Sequence, residues 1–244
     1  MISASIIKNN LIKSVEIEVL DSVLSTNDYI LDSSSFAVIA KSQTKGKGTK
    51  QRSFFSPQGG IYMSVKITPN IALENLSLLT PFTAVVVSDA IKKACNLDTK
   101  IKWVNDIYLN DKKLSGILTE NKIEGKKITS VIGIGINVKK QEFPSFELNS
   151  PISLEEVLGF EPDSNKIISE ILNSFINFDK LFNSKTFIKE YKNRSLLLDK
   201  NVTYTNGNDI INAKVIDINS DCTLKLLLDD NKTLNVSSGE VRLN

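Results

Sequence analysis

Residues 41–52 of this chain are Lys41-Ser42-Gln43-Thr44-Lys45-Gly46-Lys47-Gly48-Thr49-Lys50-Gln51-Arg52. The segment carries five cations and no acid, and its two glycines are one residue apart. Glycine lets backbone N–H groups approach a ligand closely, and interleaved Lys and Arg can neutralise a carboxylate or a phosphate. A solvated surface loop is the alternative for a charge run taken alone. The spacing fits neither a Walker A loop nor a dinucleotide-binding loop, because the Gly-Lys-Ser/Thr ending and a third glycine are missing.

The charged loop lies between two segments that the apolar pattern predicts to be strands. Phe36–Ala40 is a short apolar run typical of a buried strand, and Ile61–Ile67 is predicted to be the next strand. Further along, Leu114–Glu120 and Ile128–Ile134 are predicted to pair as a hairpin across Glu124-Gly125. Extended segments of this kind, mixed with helical ones, predict an α+β fold.

Two helices are predicted from caps and from apolar spacing. Thr80 followed by Pro81 is typical of a helix start, with a hydroxyl cap and a proline at the first helical position. Apolar residues then recur at helical spacing up to about Cys95. A second helix is predicted to begin near Asp163 or Ser164. Its apolar stripe consists of Ile167, Ile168, Ile171, Leu172, Phe175 and Phe178.

The pattern changes near the C-terminus. From Asn201 onward, short segments rich in Val, Ile, Thr and Leu alternate with turn signals such as Asn206-Gly207 and Ser238-Gly239. Four or five short strands in about fifty residues predict a small β-barrel. We therefore expect two domains, residues 1–194 and 195–244, with a boundary near 193–199.

Composition excludes several kinds of chemistry. Of 244 residues, 41% are hydrophobic and 24% are charged, and the net charge is +2, so no strong attraction to DNA or to a membrane surface is expected. The chain has no histidine and only two distant cysteines, Cys95 and Cys222. His-based catalysis, a disulfide framework and a protein-held zinc site are therefore not expected. The chain also lacks a signal peptide and a run of roughly 20 apolar residues, which favours a cytoplasmic location.

The charged loop belongs to an ordered set of motifs. Phe54 and the residues up to Ser64 follow it, and four more motifs are Ser25-Thr26-Asn27, Lys102-Trp103-Val104-Asn105-Asp106, Lys112-Lys113-Leu114-Ser115-Gly116 and Gly133-Ile134-Gly135-Ile136-Asn137. In this order and spacing they resemble the biotin protein ligases over about residues 20–140. The resemblance implies a class II aminoacyl-tRNA synthetase/biotin ligase-like mixed sheet with helices, followed by an SH3-like β-barrel.

The resemblance also implies a reaction. ATP and biotin would be the substrates, with Mg²⁺, and the enzyme would form biotinyl-5'-adenylate and release pyrophosphate. A lysine of a biotin carboxyl carrier protein, for which that of acetyl-CoA carboxylase is the natural candidate, would then accept the biotinyl group. Both steps gather negative charge, which cations and Mg²⁺ can stabilise without histidine. Homodimers occur in the family, and a homodimer is possible here.

The family motifs assign roles to particular positions of this chain. Lys113 and Arg52 are expected to be catalytic. The residues expected to contact biotin are Ser25, Thr26, Asn27, Gln43, Gly46, Lys47, Gly48, Thr49, Lys113 and Gly116. The residues expected to contact the nucleotide are Arg52, Phe54, Asn105, Asp106, Lys113 and Asn137. Ser25-Thr26-Asn27 also fits a helix cap, and Trp103 is expected to pack in the core. Gly116, Gly133 and Gly135 are interpreted as points where the backbone passes close to a ligand.

The loop departs from the pattern of the family it resembles, which usually has arginine at two positions and a third glycine. Here Lys47 and Thr49 replace the arginines, and Gln51 replaces the glycine. Phe54 stands where tryptophan is usual, and Val104 replaces a proline. Lys47 keeps the charge without the planar two-pronged geometry, and Thr49 loses the charge. These changes predict weaker retention of the adenylate or slower turnover.

Three other functions fit parts of the same pattern. A lipoate or octanoate protein ligase of the same fold would favour a long apolar channel over a polar pocket end. A biotin-dependent repressor would need a helix-turn-helix domain, and only about twenty residues precede Asp21, so DNA binding is not expected. A non-catalytic biotin-binding module would not need Lys113 and Arg52.

Overall fold

The computed structural model describes residues 1–125, 127–143, 151–207 and 209–244. The α-helices in these ranges are α1 Ala4–Asn9, α2 Thr26–Asp32, α3 Leu79–Cys95, α4 Leu154–Leu158, α5 Ser164–Ile176, α6 Phe178–Asn183 and α7 Thr186–Asn193. The strands are β1 Ile17–Leu20, β2 Ala37–Ala40, β3 Ile61–Ile67, β4 Lys100–Lys102, β5 Asp106–Leu109, β6 Lys112–Glu124, β7 Lys127–Ile136, β8 Asn201–Asn206, β9 Asp209–Ile218, β10 Leu224–Leu228, β11 Thr233–Val236 and β12 Glu240–Leu243. Two short 3₁₀ helices span Thr49–Gln51 and Leu73–Leu78.

The first seven strands form one mixed sheet in the order β1-β2-β3-β7-β6-β5-β4. β1 runs parallel to β2, and the other neighbouring strands are antiparallel. The predicted hairpin is confirmed, because β6 pairs with β7 from Ser115↔Ile136 to Glu124↔Lys127. This hairpin occupies the middle of the sheet, between β3 and β5, so its residues are held from both sides. The mixed sheet with helices confirms the predicted α+β class.

Helices cover both faces of this sheet. Ala37 and Ile39 of β2 point into the main core, whereas Val38 packs in a second cluster with Ile30 of α2 and Val131 of β7. Alternate residues of a strand point to opposite faces, so α2 lies on the face opposite the main core. The main core contains the buried residues of α3 and α5. The region around α2 is therefore separated from the bulk of the apolar packing.

The two long helices differ in how well the sequence predicted their beginnings. α5 begins at Ser164, and the side chain of Asp163 accepts a hydrogen bond from the backbone N–H of Asn165, as expected of a cap. α3 begins at Leu79, after the 3₁₀ helix, so the prediction that Thr80 caps it is wrong. The Thr80 hydroxyl instead donates to Oγ1 of Thr119 on β6, at 2.8 Å. The preceding 3₁₀ turn supplies the start of the helix, which leaves this hydroxyl free to join helix and sheet.

Five aromatic rings form the centre of the packing between α3 and the helices that follow the sheet. The ring centroid of Phe82 lies 5.3–5.9 Å from four others in edge-to-face geometry, those of Phe175, Phe178, Phe182 and Phe187. Edge-to-face pairs are favourable beyond the burial of their area, because the positive ring edge meets the negative face. Phe178 belongs to α6 and not to α5, so the predicted apolar stripe continues across a helix boundary.

The C-terminal residues form a second, five-stranded antiparallel sheet in the order β11-β10-β9-β8-β12. This agrees with the predicted run of short strands. Indole Nε1 of Trp103, next to β4, donates to the carbonyl of Cys222, between β9 and β10, at 2.9 Å. Ile101 of β4 exchanges backbone hydrogen bonds with Arg194 and Leu196, in the segment before β8. Trp103 is therefore a core residue, as expected, while the domain boundary at 194/195 stays a prediction.

In the described ranges, no helix is long and apolar enough to cross a membrane. The same ranges contain no group of three or more His, Cys, Asp or Glu side chains arranged to hold a metal ion.

The aromatic cluster gives a stability test. Phe82→Ala leaves a cavity among four rings, and we expect it to lower the free energy of unfolding by about 3–5 kcal/mol. Urea-induced unfolding followed by circular dichroism measures this. Phe160, which is 62% exposed, provides the matched control, and Phe160→Ala is expected to change the free energy by less than about 0.5 kcal/mol. Equal effects of the two substitutions would contradict the central role of Phe82.

Candidate active site

A cavity of about 380 Å³ opens between α2, the charged loop and the β6–β7 hairpin. Its volume is within the range of small-molecule sites, roughly 300–1,000 Å³. Its lining includes the N-terminus of α2, the glycines of both hairpin strands, and aromatic and cationic side chains of the loop. The expected site residues that line it are Ser25, Thr26, Asn27, Gln43, Lys47, Gly48, Thr49, Arg52, Phe54, Asn105, Asp106, Lys113, Gly116 and Asn137.

One end of the cavity is polar, and its side chains are held by hydrogen bonds within the protein. Gln43 Oε1 accepts from the backbone N–H of Thr26 at 2.9 Å, and Gln43 Nε2 donates to Ser56 Oγ at 2.9 Å. The Gln43 amide therefore has a single orientation. Ser25 stands at the N-cap position of α2, but its side chain makes no capping hydrogen bond. Its hydroxyl is thus not used by the helix, although the position itself agrees with the expected cap.

Asn27 is the buried centre of this polar end and is only 4% exposed. Its Oδ1 accepts from Ser64 Oγ at 2.6 Å, and its Nδ2 donates to Glu120 Oε2 at 2.7 Å. The side chain rests on Gly133, where an added Cβ would lie 2.2 Å from Asn27 Oδ1. Gly133 therefore has no side chain because the Asn27 amide fills that space. The sequence predicts that the backbone at Gly133 passes close to a ligand, and in this structure the nearest side chain to Gly133 is that of Asn27.

The charged loop is a small hairpin. Phe54 N–H donates to the carbonyl of Gly46 at 2.8 Å, and Gly48 N–H donates to that of Arg52 at 2.7 Å. At its tip, Lys50 has φ +56° and Gln51 has φ +60°, in the left-handed region that favours glycine. Gln51 is the position where the similar family has a glycine, and the tip conformation explains that preference.

Gly46 is the one expected site residue that does not line the cavity. An added Cβ there would lie 2.4 Å from the carbonyl oxygen of Phe54 and 2.5 Å from Ser56 Oγ. The glycine is required because the two strands of the loop approach each other closely at its base. Gly46 thus has a packing role at the base of the loop, and its contact with ligand stays a prediction.

The loop cations are paired with carboxylates from two other parts of the fold. Lys47 Nζ contacts Asp28 of α2, and this hydrogen bond raises the pKa of Lys47 above its usual value. Arg52 contacts Glu240 of β12, and Lys50 Nζ lies 3.6 Å from the same carboxylate. Burial would raise the pKa of Glu240, but the attraction of Arg52 and Lys50 holds the pKa of this carboxyl below its usual value. The hairpin is therefore held by opposite charges on both sides.

Lys113 lines the cavity and has a fixed partner. Its Nζ is 2.9 Å from Oδ1 of Asp106, and both side chains are about one-fifth exposed, 21% and 17%. Asn105 holds the other side of this pair, since its Nδ2 lies 3.2 Å from the same oxygen and 3.1 Å from the carbonyl of Ile117. An ammonium in such a partly buried pair has little freedom to move, so it can act at a defined point in the cavity.

The ring of Phe54 covers the glycine face of the sheet. An added Cβ would lie 2.4 Å from this ring at Gly135 and 3.0 Å from it at Gly116. Lys113 Nζ is 5.9 Å from the ring centroid, within the range of a cation–π contact. The absence of side chains at Gly116 and Gly135 therefore leaves the space that the Phe54 ring occupies, next to the ammonium group of Lys113.

Asn137 is buried, with 8% exposure, and its amide Nδ2 donates to the carbonyl of Ile152 at 3.1 Å. Ile152 N–H in turn donates to the carbonyl of Lys113 at 2.9 Å. Asn137 therefore joins the segment before α4 to the strand that carries Lys113. Its amide is engaged by the backbone, while its position still borders the cavity.

Several residues of the site escaped the sequence analysis. Phe143 and Pro151 line the cavity, and Asp28, Glu120 and Glu240 support its side chains from outside the lining. Asp28 adjoins a recognised motif, so its position gave some signal. Glu240 is 188 residues from its partner Arg52 and lies in a different sheet, and no local pattern could have indicated it.

The seat of Phe54 gives a second test. Gly135→Ala places a methyl group against the ring, and overpacking of this kind is expected to cost about 1–3 kcal/mol of unfolding free energy. In a Phe54→Ala background the obstructing ring is gone, so the same glycine substitution is expected to cost less than half as much. Urea titrations of the wild type, the two single variants and the double variant measure this coupling. Strict additivity of the two substitutions would contradict the contact.

Comparison with known proteins gives the following similarities. Residues 19–137 match the model of the Biotin/lipoate A/B protein ligase family. The chain is 41% identical over 142 residues to the bifunctional ligase/repressor BirA of Bacillus subtilis, covering 57% of this chain and 44% of that one. It is 32% identical over 109 residues to the biotin–[acetyl-CoA-carboxylase] ligase of Paracoccus denitrificans, covering 43% and 45%. The chain thus spans about half the length of these curated relatives.

A solved structure extends the similarity to nearly the whole chain. The biotin protein ligase from Aquifex aeolicus, in complex with biotin and ATP, has 27% sequence identity to this chain and a TM-score of 0.79. The superposition covers 94% of this chain and 98% of the other. The C-terminal sheet is therefore included in the shared architecture.

Proposed function

We propose that this chain, whose residues 19–137 match the Biotin/lipoate A/B protein ligase family, activates biotin with ATP and transfers it to a protein lysine. The observation that carries the proposal is the layout of one cavity. The same cavity is lined by a polar group, Ser25, Thr26, Asn27 and Gln43, and by Lys113 in its ion pair with Asp106. Such a cavity can hold a small acid by its polar head and present the carboxylate to a cation.

The polar end suits a cyclic urea. A urea ring has N–H donors and a carbonyl acceptor, and it needs partners of both kinds when it leaves water. Ser25 and Thr26 supply hydroxyls, and Asn27 and Gln43 supply amides whose orientations are fixed. A dithiolane ring or an alkyl chain, as in lipoate or octanoate, would leave the remaining donors and acceptors of these groups without partners. The polar end therefore favours biotin over the other acids that the family uses.

In the first step, a carboxylate oxygen of biotin attacks the α-phosphorus of ATP, and the bond to the bridging oxygen of pyrophosphate breaks. Two anionic groups must be brought together for this to happen. Lys113 lies where it can contact both the carboxylate and the α-phosphate, and its ion pair with Asp106 defines its position. Arg52 lines the same cavity and provides further N–H donors for phosphate oxygens, once they compete with Glu240.

In the second step, the neutral ε-amine of an acceptor lysine attacks the acyl carbon of the mixed anhydride. The C–O bond to AMP breaks, and the nitrogen loses a proton as the amide forms. The acceptor that we propose is a biotin carboxyl carrier protein, as the name of the Paracoccus denitrificans relative suggests. Lys113 and Arg52 would stabilise the leaving phosphate, because its negative charge grows as the bond breaks.

Magnesium fits the donor set only together with phosphates. Mg²⁺ is usually bound through one or two carboxylates plus substrate phosphates. Asp106 is the one carboxylate that lines the cavity in the described part of the chain, and Asn105 adds an amide oxygen beside it. These residues would hold the ion against ATP. Bound there, the ion would neutralise phosphate charge.

Substitution of Lys113 tests this function directly. Lys113→Met keeps the length of the side chain but removes its charge, and we expect kcat for biotin-dependent ATP–pyrophosphate exchange to fall roughly 10²–10³-fold. The adjacent exposed lysine is the matched control, so Lys112→Met should retain nearly full activity. Wild-type exchange that depends on lipoate and not on biotin would favour the lipoate ligase function. If neither acid supports exchange and no carrier domain is labelled, the proposed enzymatic function is rejected.

The altered loop predicts how tightly the intermediate is held. Thr49 lines the cavity where the similar family has an arginine, so one charge-assisted hydrogen bond to the adenylate is missing. We expect Thr49→Arg to slow the release of free biotinyl-adenylate roughly tenfold, a change that corresponds to about 1.4 kcal/mol. Thr49→Gln, which adds length without charge, is the control. Unchanged release and unchanged activity after Thr49→Arg would contradict the prediction.

A further inference from the structure

Glu120 lies midway along the pairing between β6 and β7, where the exposed part of β6 begins, and outside the lining of the cavity. Its carboxylate Oε2 accepts a hydrogen bond from Nδ2 of Asn27 at 2.7 Å. The residue as a whole is exposed, whereas Asn27 is 4% exposed and lines the cavity. A surface carboxylate is thus directly connected to a buried amide in the polar end of the site.

The two neighbours of the Asn27 amide fix which way it points. An ionised carboxylate can only accept hydrogen bonds, so Glu120 must face the NH₂ group of the amide. The Ser64 hydroxyl is fully buried and 2.6 Å from Oδ1, and it can donate to that oxygen. Rotating the amide by 180° would place its oxygen against the carboxylate oxygen. The Glu120 carboxylate therefore determines the orientation of the Asn27 amide.

The sheet keeps these groups in register. On β6, Leu118 is paired with Gly133 of β7, and Glu120 is paired with Val131 two residues further on. Gly133 leaves space for the Asn27 side chain, and Glu120 meets the end of that side chain. Neighbouring ladder positions on the two paired strands thus provide the space for the amide, at Gly133 of β7, and its partner, Glu120 of β6.

After these contacts, the amide keeps one N–H and one lone pair, because a primary amide has two of each. With its orientation fixed, Asn27 offers this donor and this acceptor at defined places in the cavity wall. Without Glu120, the amide could rotate or turn its second N–H towards solvent. The loss would affect a ligand that needs hydrogen bonds at its head, while a step at the distant carboxylate would not be changed.

We propose that Glu120 is a positioning residue that sets the preference of the site for an acid with a hydrogen-bonding ring, because it locks the amide of Asn27. This inference rests on the proposed biotin ligase function and deepens it. Glu120 does not touch the ligand itself. Glu120 acts through Asn27. It therefore affects how tightly the acid binds and not the reaction of the acid with ATP.

The test compares two variants by biotin-dependent ATP–pyrophosphate exchange. Glu120→Ala is expected to raise KM for biotin roughly fivefold to tenfold, with kcat and KM for ATP within about twofold of the wild type. Glu120→Gln retains an oxygen that can accept from Asn27, and it should restore most of the affinity. Glu124→Ala, at an exposed glutamate further along β6, is the matched control and should leave all three constants unchanged.

A third measurement shows whether the effect passes through Asn27. The double variant Asn27→Ala/Glu120→Ala should bind biotin no worse than Asn27→Ala alone, since the partner of the carboxylate is already gone. Additive losses would instead indicate that Glu120 acts through another group, such as Lys47, and would overturn the inference. So would an unchanged KM for biotin in Glu120→Ala, or a parallel fall in kcat with a lower unfolding midpoint.

Failure of the proposed function looks different from failure of this inference. If the wild-type protein shows no biotin-dependent exchange, the function and the inference that rests on it both fall. If the wild type is active and Glu120→Ala retains its KM for biotin, only the positioning role is rejected.

Discussion

The absence of side chains at three glycines of the β6–β7 hairpin is the constraint on which the site depends. Gly133 leaves space for the Asn27 amide, and Gly116 and Gly135 leave space for the ring of Phe54. All three lie in the middle of the sheet, where neighbouring strands hold the backbone from both sides. A methyl group at Gly133 or Gly135 would lie less than 2.5 Å from an atom of a functional side chain. The rigid sheet therefore defines the floor on which α2 and the loop place their polar and aromatic groups.

Charge pairing then completes the walls. Lys47, Arg52 and Lys113 line the cavity and contact Asp28, Glu240 and Asp106, respectively. These carboxylates hold the cations in place without a ligand and keep like charges from repelling one another. The two more exposed pairs, those of Lys47 and Arg52, contribute little stability individually, about 0–1 kcal/mol, so an anion can exchange with them. The Arg52 pair also connects the cavity to the second sheet, which gives the C-terminal residues a direct contact with the loop.

Much of the fold followed from local patterns, and all but one of the predicted site residues line the cavity. The hairpin was indicated by two apolar segments around Glu124-Gly125, and α5 by the cap at Asp163 and its apolar stripe. The predicted start of α3 was wrong, because a 3₁₀ turn before Leu79 begins the helix and the Thr80 hydroxyl bonds to Thr119. Gly46 packs against the carbonyl of Phe54, and its contact with biotin stays a prediction. At both positions the role of a local motif depends on residues that approach from other segments.

The sequence by itself determined the order of the motifs, the chemical groups they contain and the exclusion of histidine-based catalysis. Those properties depend only on residue identity and short-range spacing. Only the tertiary structure decided which partner each group has: Glu120 and Ser64 for Asn27, and Glu240 for Arg52. These pairs join residues 37 to 188 positions apart, and no periodicity or turn signal encodes such a contact. Hydrogen bonds act over about 3 Å, so their partners become known only when the chain has folded.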